Sequence, residues 1–196
     1  MAYSYLEANE QLKLLQREGK VTVAALEKLI ADTSASVPQA DPNSIYLLYS
    51  GFTDDINGVE TATNISNKKK NTLIIADTPA GMLLNSYDFK QAYFIARRDE
   101  YRATIPGFKD LSLEEQGDIV SRDHQLAISG KDTSGKRIAS DSIWDQVSKR
   151  YVEEASGSFR ILATDASEFS LFYQTELPAL LKNPNVCLYG QPESGK

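Results

Sequence analysis

Residues 141 to 181, DSIWDQVSKRYVEEASGSFRILATDASEFSLFYQTELPALL, constrain the fold most, because a helix signal passes into a strand signal with almost no loop between them. Asp141 and Ser142 are short polar side chains suited to the orphan N–H groups of a first turn, and apolar residues recur at helical spacing at Ile143, Val147 and Tyr151. Trp144 and Ser148 lie one step round the same helix, and Gly157 is the expected left-handed stop. In SFRILAT, residues 158–164, Phe159, Ile161 and Ala163 alternate with Arg160, Leu162 and Thr164, and Leu162 implies a strand covered on both faces. A helix followed at once by such a strand is half of an α/β unit.

Beyond this strand the aromatics Phe169, Phe172 and Tyr173 lead to Thr175-Glu176-Leu177-Pro178. Proline disfavours the helical conformation at the residue before it and fits a first helical turn, so Glu176 is expected just ahead of a helix N-terminus, where an anion is favoured. Two readings stay open. The carboxylate is a dipole partner for the helix, or it faces a cleft at the C-terminal edge of the sheet.

The run Ile143-Trp144-x-x-Val147-Ser148-x-Arg150-Tyr151-x-x-x-Ala155, followed by Phe172-x-x-x-Glu176, resembles the C-terminal signature of the ADP-ribosyl cyclase and NAD glycohydrolase family. The resemblance implies a catalytic Glu176, with Trp144, Ser148 and Phe172 around the nicotinamide-bearing ribose. Ile45-Tyr46-Leu47-Leu48-Tyr49-Ser50 is similar to the family's apolar strand ending in a second pocket tryptophan and a serine. Tyr49 then takes the tryptophan's place, and Ser50 follows it in the site. The family's Glu-Asp-Thr segment corresponds to Ala76-Asp77-Thr78, which carries Asp77 over and leaves alanine where the glutamate is expected. The implied fold is α/β, with a helical N-terminal part packed on a small, mostly parallel sheet flanked by helices. The implied activity is cleavage of the nicotinamide–ribosyl bond of NAD or NADP to nicotinamide and ADP-ribose, with a minor cyclic product. NAD is then the substrate, and neither cofactor nor metal is expected.

A chain of 196 residues can bury a full core as one catalytic domain, or as two lobes: helix-rich 1–40 and 79–125, and α/β 44–50 and 141–190. The net charge of -6, from 27 acids and 21 bases, argues against nucleic acid or an anionic membrane as partner. No apolar run approaches the roughly 18 residues of a spanning helix, and MAYSYLEANEQ lacks the basic start and apolar core of a signal peptide. The chain is therefore expected to be cytoplasmic where it is made. Cys187 is the single cysteine, so no internal disulfide forms, unlike the disulfide-held animal ectoenzymes of the family. Its apolar setting, residues 185–189, suggests a small buried hydrophobe. These features together suggest an NAD-depleting toxin domain, delivered into a target cell by a specialised system, whose producer carries an immunity protein covering the active site.

Elsewhere the spacing predicts helices over 3–18 and 21–32, a loop over 33–43, a strand over 44–50, and a helix over 86–103. Residues 53–71 are polar, and Lys68, Lys69 and Lys70 read as a solvated loop. Leu73 to Ala76 fits either strand or helix, and Asp77-Thr78-Pro79 starts a helix near Pro79. Ser112 to Ser121 forms another, opened by a Ser112/Glu115 capping box, while His124 lacks the companions of a metal site. Gly130-Lys-Asp-Thr-Ser-Gly135-Lys136 nearly matches a phosphate-cradling loop, but Arg137 replaces the magnesium-binding hydroxyl, and a turn between short strands is the preferred reading. Two other function classes stay open: a non-enzymatic interaction protein with an aromatic groove, and a P-loop-like phosphotransferase resting on residues 130–136.

Overall fold

Helix starts sit where short polar side chains stand ahead of apolar periodicity. In this computed structural model, which describes residues 2–36, 44–49, 52–53, 56–57, 72–162 and 168–188, Ser4 caps α1 (Tyr5–Arg17) and Thr22 caps α2 (Val23–Asp32). The chain falls into two compact units, Met1–Ser34 with Pro79–Val147 and Ala35–Thr78 with Ser148–Lys196.

The first unit is helical. After α1 and α2 come α3 (Pro79–Asn85), α4 (Tyr87–Thr104), α5 (Leu113–Ser129) and the opening of α6 (Ile143–Glu153). Phe89, Ala92, Tyr93 and Ala96 form the buried stripe of α4. Polar bonds tie this stripe to its neighbours: the Tyr93 hydroxyl donates to Glu27 at 2.8 Å and the Tyr101 hydroxyl to Asp123 at 2.7 Å. The Ser112/Glu115 capping box is present, but α5 runs past the expected end at Ser121, because Ile128 continues its buried face. Gly130 ends it in the left-handed conformation at φ 69, where a Cβ would also lie 2.4 Å from the Ala139 carbonyl oxygen.

The second unit is built on a sheet of order β4-β1-β5-β6, formed by β1 (Ile45–Tyr49), β4 (Thr72–Leu73), β5 (Gly157–Leu162) and β6 (Val186–Leu188), with every pairing parallel. The α/β expectation therefore holds for the sheet. A separate antiparallel pair, β2 (Phe52–Thr53) with β3 (Ile56–Asn57), lies at the start of the polar stretch 53–71, where the sequence suggested no strand. Leu47 and Leu48, both 1 % exposed, show why β1 is apolar on both sides. On one face Tyr46 stacks on Phe159 with ring centroids 5.0 Å apart, and Tyr151 of α6 meets both rings edge-on at 5.8 and 6.1 Å. On the other, Leu47 and Ile74 form a cluster against which Tyr49 and Ala76 pack.

Three local expectations need correction. Gly157 does not stop α6; the helix ends at Glu153, and Gly157, at φ 119, opens β5. The stop comes from Asn183, whose side-chain amide donates to the carbonyls of Val152 and Ala155 at 2.7 and 2.9 Å. Those carbonyls would otherwise lie unpaired at the helix end. Leu177 is helical (φ -61, ψ -46) despite preceding Pro178, because a π-turn, Phe172–Glu176, feeds directly into α7 (Leu177–Lys182). The Leu177 N–H reaches back to the Phe172 carbonyl, and this wider turn relieves the crowding that proline imposes on a regular one. Cys187 is exposed rather than buried, with its sulfur 3.4 Å from the Ser158 hydroxyl. Edge position and a strand of three residues leave its face uncovered.

Candidate functional site

The sheet reverses its winding at β1. From β1 the chain passes to β4 on one side, and later from β5 to β6 on the other, so β1 and β5 flank the switch point. Tyr49 and Leu162 end these strands and are register partners. In parallel sheets the crevice beyond such a pair of C-terminal strand ends is where ligands bind.

Glu176 belongs to the π-turn that packs against β1. It is 3 % exposed, and its carboxylate accepts a hydrogen bond from the hydroxyl of Ser148, itself fully buried on α6. A hydrogen bond to an ionised group is worth about 1.5–3 kcal/mol, which is large enough to fix a side chain. The sequence placed Glu176 ahead of a helix N-terminus, with backbone N–H groups on one side. Its φ of -74 and ψ of -47 instead make it helical, so a hydroxyl and not a free helix end holds it.

Tyr49 lies within the field of the same carboxylate. Its phenol is pushed up to about 12, first by burial and then by the charges of Glu176 and Asp77, so it is a neutral donor at physiological pH. Asp77 is exposed and ends the 3₁₀ turn Ile75–Asp77 that follows β4. Its carboxylate accepts from the Ile74 N–H at 3.2 Å. Glu176, Ser148, Tyr49 and Asp77 therefore belong to one neighbourhood at the sheet's C-terminal edge.

Phe172 is 4 % exposed, which makes it a wall of this region; the exposed rings of the segment are those of Phe169 and Tyr173, at 58 % and 42 %. Trp144 is half-buried one turn before Ser148, in the part of α6 that belongs to the helical unit. Ser50 and Lys68 to Lys70 lie outside the described residues.

Sequence reasoning missed Tyr151. It was read as one apolar position of a helix face, yet it is 1 % exposed and its hydroxyl donates to the Leu73 carbonyl at 3.0 Å. Burial, followed by the charge of Glu176, raises its phenol well above the ordinary value. Its spacing of three from Ser148, together with the rule that a buried phenol needs a partner, was the available signal.

The stretch 130–136 is a turn. The Asp132 carboxylate accepts from the backbone N–H groups of Ser134 and Lys136 at 2.9 and 3.0 Å, and Lys131 and Arg137 pair as a single antiparallel bridge. Those amides, which a phosphate would need, are satisfied internally. Arg137 pairs with Asp145, and Asp145 also takes the N–H of Ser142 at 2.9 Å, which fastens this turn to the start of α6. Among the described residues, no group of three or more His, Cys, Asp and Glu could hold a metal ion, and no helix is long and apolar enough to cross a membrane.

Comparison with protein families, with curated proteins and with solved structures finds no match for this chain.

Proposed function

We propose that the α/β unit is a glycohydrolase site acting on a nucleotide, and that its reaction is cleavage of the nicotinamide–ribosyl bond of NAD or NADP. The observation that supports this reading best is the buried Glu176 carboxylate, held by Ser148 beside Tyr49 at the switch point of a parallel sheet.

The chemistry matches that arrangement. The bond from ribose C1′ to the pyridinium nitrogen breaks with its electron pair going to nitrogen, so nicotinamide leaves neutral and needs no proton. The ribose is left as an oxocarbenium-like cation. A fixed carboxylate stabilises that developing charge, and in a water-excluded site one such group is worth about 2.7–4 kcal/mol. Water then adds to C1′, losing its proton to a base or to solvent, and gives ADP-ribose. The neutral Tyr49 phenol supplies a donor that can hold this water; Ala76, standing where the family has a carboxylate, eases cyclisation instead, but water attacks without the substrate having to fold back on itself. ADP-ribose is accordingly the main product in this reading, with cyclic ADP-ribose minor. An ADP-ribosyl cyclase-like architecture, the substrate roles of Trp144, Ser50 and Phe172, an NAD-depleting action in a target cell and an immunity partner belong to the same proposal. Incubation of the purified chain with NAD and NADP, followed by chromatography, tests it.

A second reading has its own support. Phe169, Tyr173 and Leu181, at 58 %, 42 % and 76 % exposure, lie on the segment that carries Glu176 and suit a protein-binding surface without catalysis. Absence of NAD turnover, with a captured partner that buries these residues, would favour it.

A further inference from the structure

One peptide group joins two of the site's side chains. The carbonyl of Leu73 accepts from the Tyr151 hydroxyl at 3.0 Å, and the N–H on the far side of the same peptide, that of Ile74, donates to the Asp77 carboxylate at 3.2 Å. A donor at the carbonyl polarises the peptide and strengthens what its N–H gives, so the two bonds reinforce each other. Tyr151 is rigidly placed for this. Its ring lies against Tyr46 and Phe159, and Leu73, Tyr46, Phe159 and Leu188 are successive register partners across all four strands of the sheet. One turn earlier on α6, Ser148 holds Glu176.

We propose that Tyr151 is a positioning residue: α6 sets both carboxylates of the site, Glu176 through the Ser148 hydroxyl and Asp77 through the Tyr151 hydroxyl and the Leu73–Ile74 peptide. A purely structural tyrosine would serve through its ring, since the ring supplies the packing on Tyr46 and Phe159. The hydroxyl is buried where it meets the last residue of the strand leading to Asp77.

The test uses Tyr151→Phe, Asp77→Ala and the double variant, because phenylalanine keeps the ring and deletes only the hydroxyl. Amide hydrogen exchange at Ile74, compared with Tyr46 to Leu48 in the same samples, reads the relay without any substrate. Each single variant is expected to speed Ile74 exchange by about tenfold, and the double variant to exchange no more than about twofold faster than Asp77→Ala. Unchanged Ile74 exchange in Tyr151→Phe, multiplicative effects in the double variant, or a Tyr151→Phe chain that does not fold would each overturn the proposal. The kinetic arm rests on the proposed cleavage of NAD: Tyr151→Phe should lower kcat by about tenfold with KM nearly unchanged, and should have no further effect once Asp77 is alanine. A wild-type chain inert toward NAD would defeat the proposed function alone, leaving the exchange measurement to decide the role of Tyr151.

Discussion

Ser148, fully buried on α6, donates its hydroxyl proton to the Glu176 carboxylate 28 residues further along the chain. The bond joins α6 to the π-turn, two elements separated in the chain by β5. Ser148→Ala deletes the donor and leaves a carboxylate 3 % exposed with one partner fewer, so stability should fall by about 1–3 kcal/mol. Urea unfolding measures it, and an unchanged midpoint would show that Glu176 is held by other groups.

Pro178 contributes no N–H to the helix, and the π-turn places Glu176 two residues before it. Pro178→Ala restores a donor and removes the ring that crowds Leu177. The turn should then relax toward regular α-helix, leaving stability equal or higher while moving Glu176 away from Ser148. NAD cleavage is expected to drop by about tenfold with no loss of melting temperature. A variant that loses stability and activity together would contradict this division.

Asn183 closes α6 from the far side of β5 by binding the carbonyls of Val152 and Ala155, and its own side-chain oxygen accepts from the Asn185 N–H at 2.9 Å. Asn183→Ala should cost about 1–3 kcal/mol, since several backbone groups lose their partner at once. Chemical denaturation checks this, with Asn185→Ala as a control expected to be near neutral.

Alkali should unfold the protein before it ionises Tyr49 and Tyr93. Tyr49 and Tyr93 are both raised to about 12, mainly by burial, against an ordinary value of 10.0. Between those limits the unfolded chain sheds phenolic protons that the folded chain keeps, so stability is full below about pH 10 and falls as pH rises toward 12. Unfolding midpoints across that window should decline, with a shallower slope in Tyr49→Phe. A flat response in the wild type would mean that these rings meet water.

The sequence revealed elements more readily than their joints. Ser112 was legible as a helix start, and Thr22 likewise, because short polar side chains act locally, and the apolar strand expected over 44–50, observed as Ile45–Tyr49, was legible because a strand covered on both faces must be apolar throughout. What escaped depends on distant partners. The end of α6 is set by Asn183, 30 residues beyond Glu153, and the conformation of Leu177 is set by the π-turn before it. For the site, local signals marked Glu176 alone, by its place before Pro178; Ser148, Tyr49 and Asp77 entered through the family resemblance and not through spacing. The switch point between Tyr49 and Leu162 and the Tyr151–Leu73 bond were not legible, because strand order and register are long-range properties.

In the proposed reaction Glu176 stabilises a ribosyl cation formed from NAD. Glu176→Gln removes the charge, keeps the shape and retains an oxygen that accepts from Ser148, so the fold should persist. The decisive measurement is the rate of nicotinamide release from NAD by wild type and Glu176→Gln, at equal concentration and with matched melting curves. Measurable release by the wild type is expected, with ADP-ribose as the main co-product, and at least about a 100-fold lower rate in the folded variant. Equal rates in two folded proteins, or no release by the wild type, would contradict this role of Glu176.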